Sequence, residues 1–179
     1  MKLRIDDITA ESRHISFSEP EKEINHALDS GPIHEYRLLR PVGVDLSYYR
    51  AGMELFLEGS VDAQTSANCA RCAEEFSTSA RRPFRYVLAP KSVADEEGSD
   101  PRSEDLEFSF YDGDHVDLSP LVREQVLLAL TERPLCREDC KGLCASCGAN
   151  LNEAPCGCTK EKGDPRLAVL RTLKVGRAS

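Results

Sequence analysis

Eight cysteines carry most of the chemistry this chain can do: Cys69-x2-Cys72, and then Cys136-x3-Cys140-x3-Cys144-x2-Cys147-x8-Cys156-x-Cys158. Thiolates two or three residues apart on a short turn can aim two sulfurs at one ion while the turn's N–H groups face them. That is the pattern of tetrahedral zinc coordination. Gly142 and Gly148 lie beside the pairs and suit the positive φ that such turns use. Eight thiols are enough for one or two zinc ions, with all eight as ligands. Spacing alone leaves the partition open. Cys69 and Cys72 can join two of the later six, or a complete four-thiolate site can lie within 136–158. Cys156-x-Cys158 is tighter than the common knuckle, so one of its members is also compatible with another role. The clusters contain no histidine, which favours a structural ion over a catalytic one with an open position. A redox pair needs a Cys-x-x-Cys at a helix start after a strand, and neither pair has that setting.

Nothing else in the chain asks for an enzyme or a small-molecule substrate. There is no Gly-x-Ser-x-Gly, phosphate-cradling glycine loop or His-Glu-x-x-His. His14, His26, His34 and His115 fall in polar segments, and the pairs Asp112/Asp114 and Glu74/Glu75 suit turns and solvated faces. The formal net charge of -8 is concentrated in one segment: residues 1–90 carry -3, 91–120 carry -8 and 121–179 carry +3. Such a field repels nucleic acid at long range. Two basic groups run against it. Arg81, Arg82 and Arg85 are candidates for local RNA contact, and Lys160, Lys162, Arg166, Arg171, Lys174 and Arg177 mark the tail. The longest apolar run, Val126 to Leu130, is too short to span a bilayer. The first residues turn acidic at once instead of forming a secretory signal, so we expect a cytoplasmic, reducing location that disfavours disulfides.

The elements that must position the cysteines follow from periodicity. Leu3 and Ile5 mark a short first strand, Val42-x-Val44-x-Leu46 a second, and Met53, Leu55, Leu57 and Val61 a third. Phe84-x-Tyr86-x-Leu88 restores the alternation after Cys69 and Cys72, which predicts a long hairpin with that pair at its tip. Pro90 to Glu107 reads as an acidic loop, and Leu106-x-Phe108-x-Phe110 as a strand closed by the turn Asp112-Gly113-Asp114. The clearest helix spans 119–131, with Ser119 as N-cap and Pro120 at N1. Its apolar face is Leu121, Val122, Gln125, Leu128 and Ala129, widened by Val126, Leu127 and Leu130. A last helix is predicted from Pro165 to Leu173. The reading is an α+β protein: residues 1–133 form a mainly antiparallel sheet with a buried helix, and 134–179 form a cysteine-rich, zinc-stapled C-terminal lobe.

Four stretches carry a resemblance to a known family. They are Cys69-Ala-Arg-Cys72, the helix before Pro134, the run Cys136-x2-Asp139-Cys140-Lys141-Gly142-Leu143-Cys144-x2-Cys147-Gly148-x-Asn150-Leu151-Asn152, and the ending Asp164-Pro165-Arg166-Leu167-Ala168-x-Leu170-x-x-Leu173. Together they resemble the YceD family of large ribosomal RNA subunit accumulation proteins. The Asn150-Leu151-Asn152 segment is the most specific part, since a generic zinc ribbon does not need it. The resemblance implies a non-enzymatic role in accumulation or processing of large-subunit rRNA, with that RNA, ribosomal proteins or processing factors as partners. An acidic chain then acts better as an adapter, binding a basic partner through 94–117, than as a general RNA clamp. A zinc-dependent RNA-binding module and a thiol redox or metal-storage protein are the competing classes.

Overall fold

The computed structural model describes residues 1–31, 35–91 and 107–158. The calls on His34, on the body of the acidic loop, on the helix at 165–173 and on the basic tail lie outside these residues. Within them the protein is α+β, built on a mostly antiparallel sheet. In chain order the strands are β1 (Lys2–Arg4), β2 (Arg13–Glu19), β3 (Tyr36–Leu38), β4 (Val42–Ala51), β5 (Glu54–Asn68), β6 (Glu75–Pro90), β7 (Glu107–Tyr111) and β8 (His115–Asp117). Helix α1 spans Glu21–Ser30 and α2 spans Leu118–Ala129. The sheet runs β2-β4-β5-β6-β7, with β3 pairing the far end of β5, and β1 and β8 form a separate antiparallel pair. Strand β7 joins β6 in parallel; the other pairings are antiparallel.

The long hairpin is where the alternation placed it. β5 and β6 stay in register from Leu55↔Leu88 out to Asn68↔Glu75, so the cysteine pair sits at the end of a stiff two-stranded arm. One face of the sheet supplies the core: Val42, Val44, Leu46 and Tyr48 from β4, Leu55, Leu57 and Val61 from β5, and Phe84, Tyr86 and Leu88 from β6. Helix α2 closes that face with Leu118, Val122, Gln125, Val126 and Leu130 buried. Its register differs from the expected one. Asp117, not Ser119, is the N-cap, and its carboxylate accepts from Ser119 N at 3.1 Å. Pro120 is therefore the third helical residue, still within the first turn where no intrahelical N–H is needed. Leu128, expected on the apolar face, lies off the buried seam of Val122, Gln125 and Val126 and is 50% exposed.

The buried amide of Gln125 is satisfied across the sheet. Its Nε2 donates to the Tyr86 hydroxyl at 2.7 Å, that hydroxyl donates to Glu124 Oε2 at 2.9 Å, and Arg82 Nε donates to Gln125 Oε1 at 2.9 Å. A fully buried side-chain amide is tolerated only when paired in this way. Helix α1 and strand β2 had no strong sequence signal. The helix buries only Ile24 and Leu28 after Pro20, and β2 lies at the sheet edge with no side chain fully buried before Glu19.

Candidate metal centre

Two four-cysteine clusters are present among the described residues: Cys69, Cys72, Cys136 and Cys140, and Cys144, Cys147, Cys156 and Cys158. In each, the four sulfurs lie within 4.8 Å of one another. Of the two arrangements left open by spacing, the structure has the one in which Cys69 and Cys72 join two of the later six. The hairpin pair joins two cysteines of the lobe, and a second complete set lies downstream, with Cys156 and Cys158 both in it.

The clusters are built from two copies of one turn. After Cys69-x2-Cys72, Ala73 N donates to Cys69 O at 2.8 Å and Cys69 N to Glu74 O at 2.9 Å. After Cys144-x2-Cys147, Gly148 N donates to Cys144 O at 2.9 Å and Cys144 N to Ala149 O at 2.8 Å. The residue after the second cysteine has positive φ in both, 60° at Ala73 and 72° at Gly148. Glycine takes that conformation without strain, whereas Ala73 is held there by the turn around it.

The lobe clasps the hairpin tip around the inner cluster. Ala70 N donates to Pro134 O at 2.8 Å, Leu143 N to Arg71 O at 3.0 Å, and Arg71 Nη1 to the carbonyls of Glu138 and Cys140, each at 2.9 Å. Gly142, at φ 74°, passes so close that a Cβ there would stand 2.8 Å from Arg71 O. Cys69, Cys72 and Cys140 are buried, with Phe76 and Leu135 packed against them. The outer cluster differs in exposure: Cys147 and Cys158 are exposed, and Cys144 and Cys156 are half-buried.

The donor set fits zinc. Cys69 Sγ and Cys140 Sγ are 3.8 Å apart, as are Cys72 Sγ and Cys136 Sγ. A tetrahedron with metal–sulfur bonds near 2.3 Å has edges of about 3.8 Å, whereas a disulfide needs about 2.05 Å. All eight thiols are free. The protonation chemistry points the same way. Burial pushes the Cys69 thiol up, but N–H groups of Cys136, Cys72 and Arg71 outweigh it and bring it down to about 6. The N–H groups of Cys147 and Ser146 bring Cys144 to about 6 as well. Burial and the neighbouring thiols push Cys136 up to about 12, and contact with Cys147 is the largest cause of the same rise at Cys158. Each cluster thus sets thiols that ionise readily, Cys69 and Cys140 in one and Cys144 in the other, beside thiols that resist ionising without a cation, Cys72 and Cys136 in one and Cys156 and Cys158 in the other.

The three arginines are not brought together. Period-two alternation puts Arg82 on the helix-covered face with Phe84 and Tyr86, and Arg81 and Arg85 on the opposite face. Arg85 pairs with Glu58, Nη2 to Oε1 at 2.8 Å, and Arg81 lies across from Asp62 in register. That face also carries Tyr49 and Phe56, whose rings stack at 5.1 Å and 7°. Among the described residues no helix is long and apolar enough to cross a membrane.

The model of the family described as large ribosomal RNA subunit accumulation protein YceD matches residues 57–174, a span that includes all eight cysteines. The chain is similar to the chloroplastic YCED homolog 1 of Arabidopsis thaliana, itself described as a large ribosomal RNA subunit accumulation protein. The two are 30% identical over 156 residues, covering 75% of this chain and 49% of that protein. The Zea mays protein of the same description is 29% identical over 143 residues, 66% of this chain and 48% of its own length. An uncharacterised protein of Mycobacterium tuberculosis is 31% identical over 127 residues, 71% of this chain and 59% of its own. The chain thus spans about half of the plant relatives' length and somewhat more of the mycobacterial one. No solved structure matches the chain significantly.

Proposed function

The chain belongs to the YceD family of large ribosomal RNA subunit accumulation proteins, and from that premise we propose that it is a non-enzymatic ribosome-biogenesis factor acting in the cytoplasm as an adapter for a basic assembly or processing partner. The family match across both cysteine clusters carries this reading. The metal centres would be zinc and structural, since each cluster offers four thiolates to one ion and leaves no position for a substrate. The adapter form is supported by charge. The acidic excess lies in 91–120, whereas Arg82 and Arg85, two of the three candidate RNA-contacting arginines, are engaged within the fold by Gln125 and Glu58. A basic ribosomal protein or processing factor is drawn to such an acidic segment, and RNA phosphates are repelled by it. Deletion of residues 94–107 is expected to abolish capture of that protein partner from assembling large subunits while leaving metal content unchanged. Undiminished capture by the deleted chain would reject the adapter.

One observation favours direct RNA binding as the second reading. Tyr49, 39% exposed, and Phe56 stack on the same sheet face as Arg81 and Arg85, and aromatic rings on a sheet are platforms for unpaired bases. Under this reading Arg81→Glu with Arg85→Glu, and separately Tyr49→Ala, weaken binding of large-subunit RNA fragments at physiological salt, and Arg82→Glu acts only through stability.

A further inference from the structure

The motif Asn150-Leu151-Asn152 lies between Cys147 and Cys156, inside the loop that the outer cluster closes. Its side chains nevertheless hold the inner half of the lobe. Asn152 Nδ2 donates to Cys140 Sγ at 3.3 Å, and Asn152 Oδ1 accepts from Lys141 N and from Arg137 Nη2, each at 2.8 Å. Asn150 Oδ1 fixes Asn152 by accepting from its N at 3.0 Å and its Nδ2 at 2.9 Å. Asn150 Nδ2 in turn donates to Glu74 Oε1 on the hairpin tip at 2.8 Å. A ligand of the inner cluster is thus held by a residue that the outer cluster places.

We propose that the two clusters form one coupled metal unit, in which the ion held by Cys144, Cys147, Cys156 and Cys158 is the labile one and its presence, through Asn152, slows loss of the ion held by Cys69, Cys72, Cys136 and Cys140. This rests on reading both clusters as zinc centres. Accessibility sets the order of loss. A chelator reaches the exposed sulfurs of Cys147 and Cys158 directly, whereas three of the four inner sulfurs belong to buried residues. Four thiolates around a divalent ion carry a net charge of about -2, and an N–H donated to one of them stabilises it against protonation and transfer to a competitor. Without the outer ion nothing ties Cys156 and Cys158 to Cys144 and Cys147, so the loop that carries Asn152 loosens and Asn152 is held less firmly against Cys140. Coupling of this kind is reciprocal, so the outer ion is also held better when the inner one is present. Partners that orient a metal ligand are typically worth about 10- to 100-fold in metal affinity.

The test uses the full chain loaded with zinc and challenged with excess 4-(2-pyridylazo)resorcinol, following released metal by absorbance. Two ions per chain are expected, one leaving in a fast phase and one in a slow phase. Asn152→Asp keeps an acceptor for Lys141 N and Arg137 but puts a carboxylate oxygen where the donor to Cys140 stood. It should still bind two ions and accelerate the slow phase about tenfold or more. Cys156→Ser with Cys158→Ser should bind one ion and release it about tenfold faster than the wild-type slow phase. If that chain does not fold, Asn152→Asp decides alone. Release of both wild-type ions at one rate, or an unchanged slow phase in Asn152→Asp, overturns the coupling. Fewer than two ions on the wild-type chain instead overturns the reading of the clusters beneath it.

Discussion

Cys72→Ser is expected to remove one ion per chain and to free the lobe from the sheet, with an effect several times that of Cys158→Ser. The difference follows from what each ligand joins. Cys72 is buried and reaches Cys136 across 64 positions of chain, so an ion shared between them closes a long loop between hairpin and lobe. A cross-link over a loop of that length is worth about 4 kcal/mol in chain entropy alone. That is a large part of the roughly 5–15 kcal/mol that keeps a domain folded. Serine is a poor zinc ligand and leaves Cys69, Cys136 and Cys140 without a shared ion. Cys158 is exposed and closes a short loop within the lobe, so its loss is mostly local. Metal content by atomic emission and hydrogen exchange at residues 134–143 check this. Equal exchange in the two variants would mean that the inner cluster does not anchor the lobe.

Gly59→Ala should unfold the sheet more readily than any surface change, at about 3 kcal/mol or more. Gly59 lies in the middle of β5, opposite Leu46 of β4 and Phe84 of β6. A Cβ there would stand 2.3 Å from Asp45 O, 3.0 Å from Phe84 Cζ and 3.2 Å from Leu46 Cα. Two of those atoms are backbone, so relief requires β4 to move and its ladder with β5 to break. Gly43 is the control: it is also within a strand, but its Cβ would find Asp62 O at 3.8 Å, an ordinary contact. Gly43→Ala should therefore stay within about 0.5 kcal/mol of wild type. Denaturant midpoints of the two variants check the contrast, and neither should alter metal content.

The parts of this fold legible in the sequence are those in which one period dominates. Leu55, Leu57 and Val61, and then Phe84, Tyr86 and Leu88, alternate cleanly because both strands bury one face under α2. The hairpin and its cysteine tip follow from that. Helix α2 was legible too, but its start was misplaced by two residues because Ser119-Pro120 imitates a cap that Asp117 supplies. Helix α1 was missed because two buried positions, Ile24 and Leu28, make too short a pattern. The parallel placement of β7 beside β6 depends on tertiary packing that no local pattern records. At the candidate metal centre, residue types and spacing singled out the eight cysteines but not how they group. The grouping depends on the reach of a hairpin tip across the lobe, and on Gly142 letting the backbone pass Arg71. The role of Asn152 was hidden for the same reason: its spacing marked it as distinctive, and only its position against Cys140 explains it. The separation of Arg82 from Arg81 and Arg85 was available from parity along β6, since Arg82 shares its face with Phe84 and Tyr86.

Depletion of the protein in its own cells, with ribosomes resolved on a sucrose gradient and large-subunit rRNA precursors quantified, tests the account most directly. The account predicts a deficit of mature large subunits with accumulated precursor, restored by the wild-type chain and not by one lacking residues 94–107. Normal subunit ratios and normal precursor levels at full depletion would contradict it.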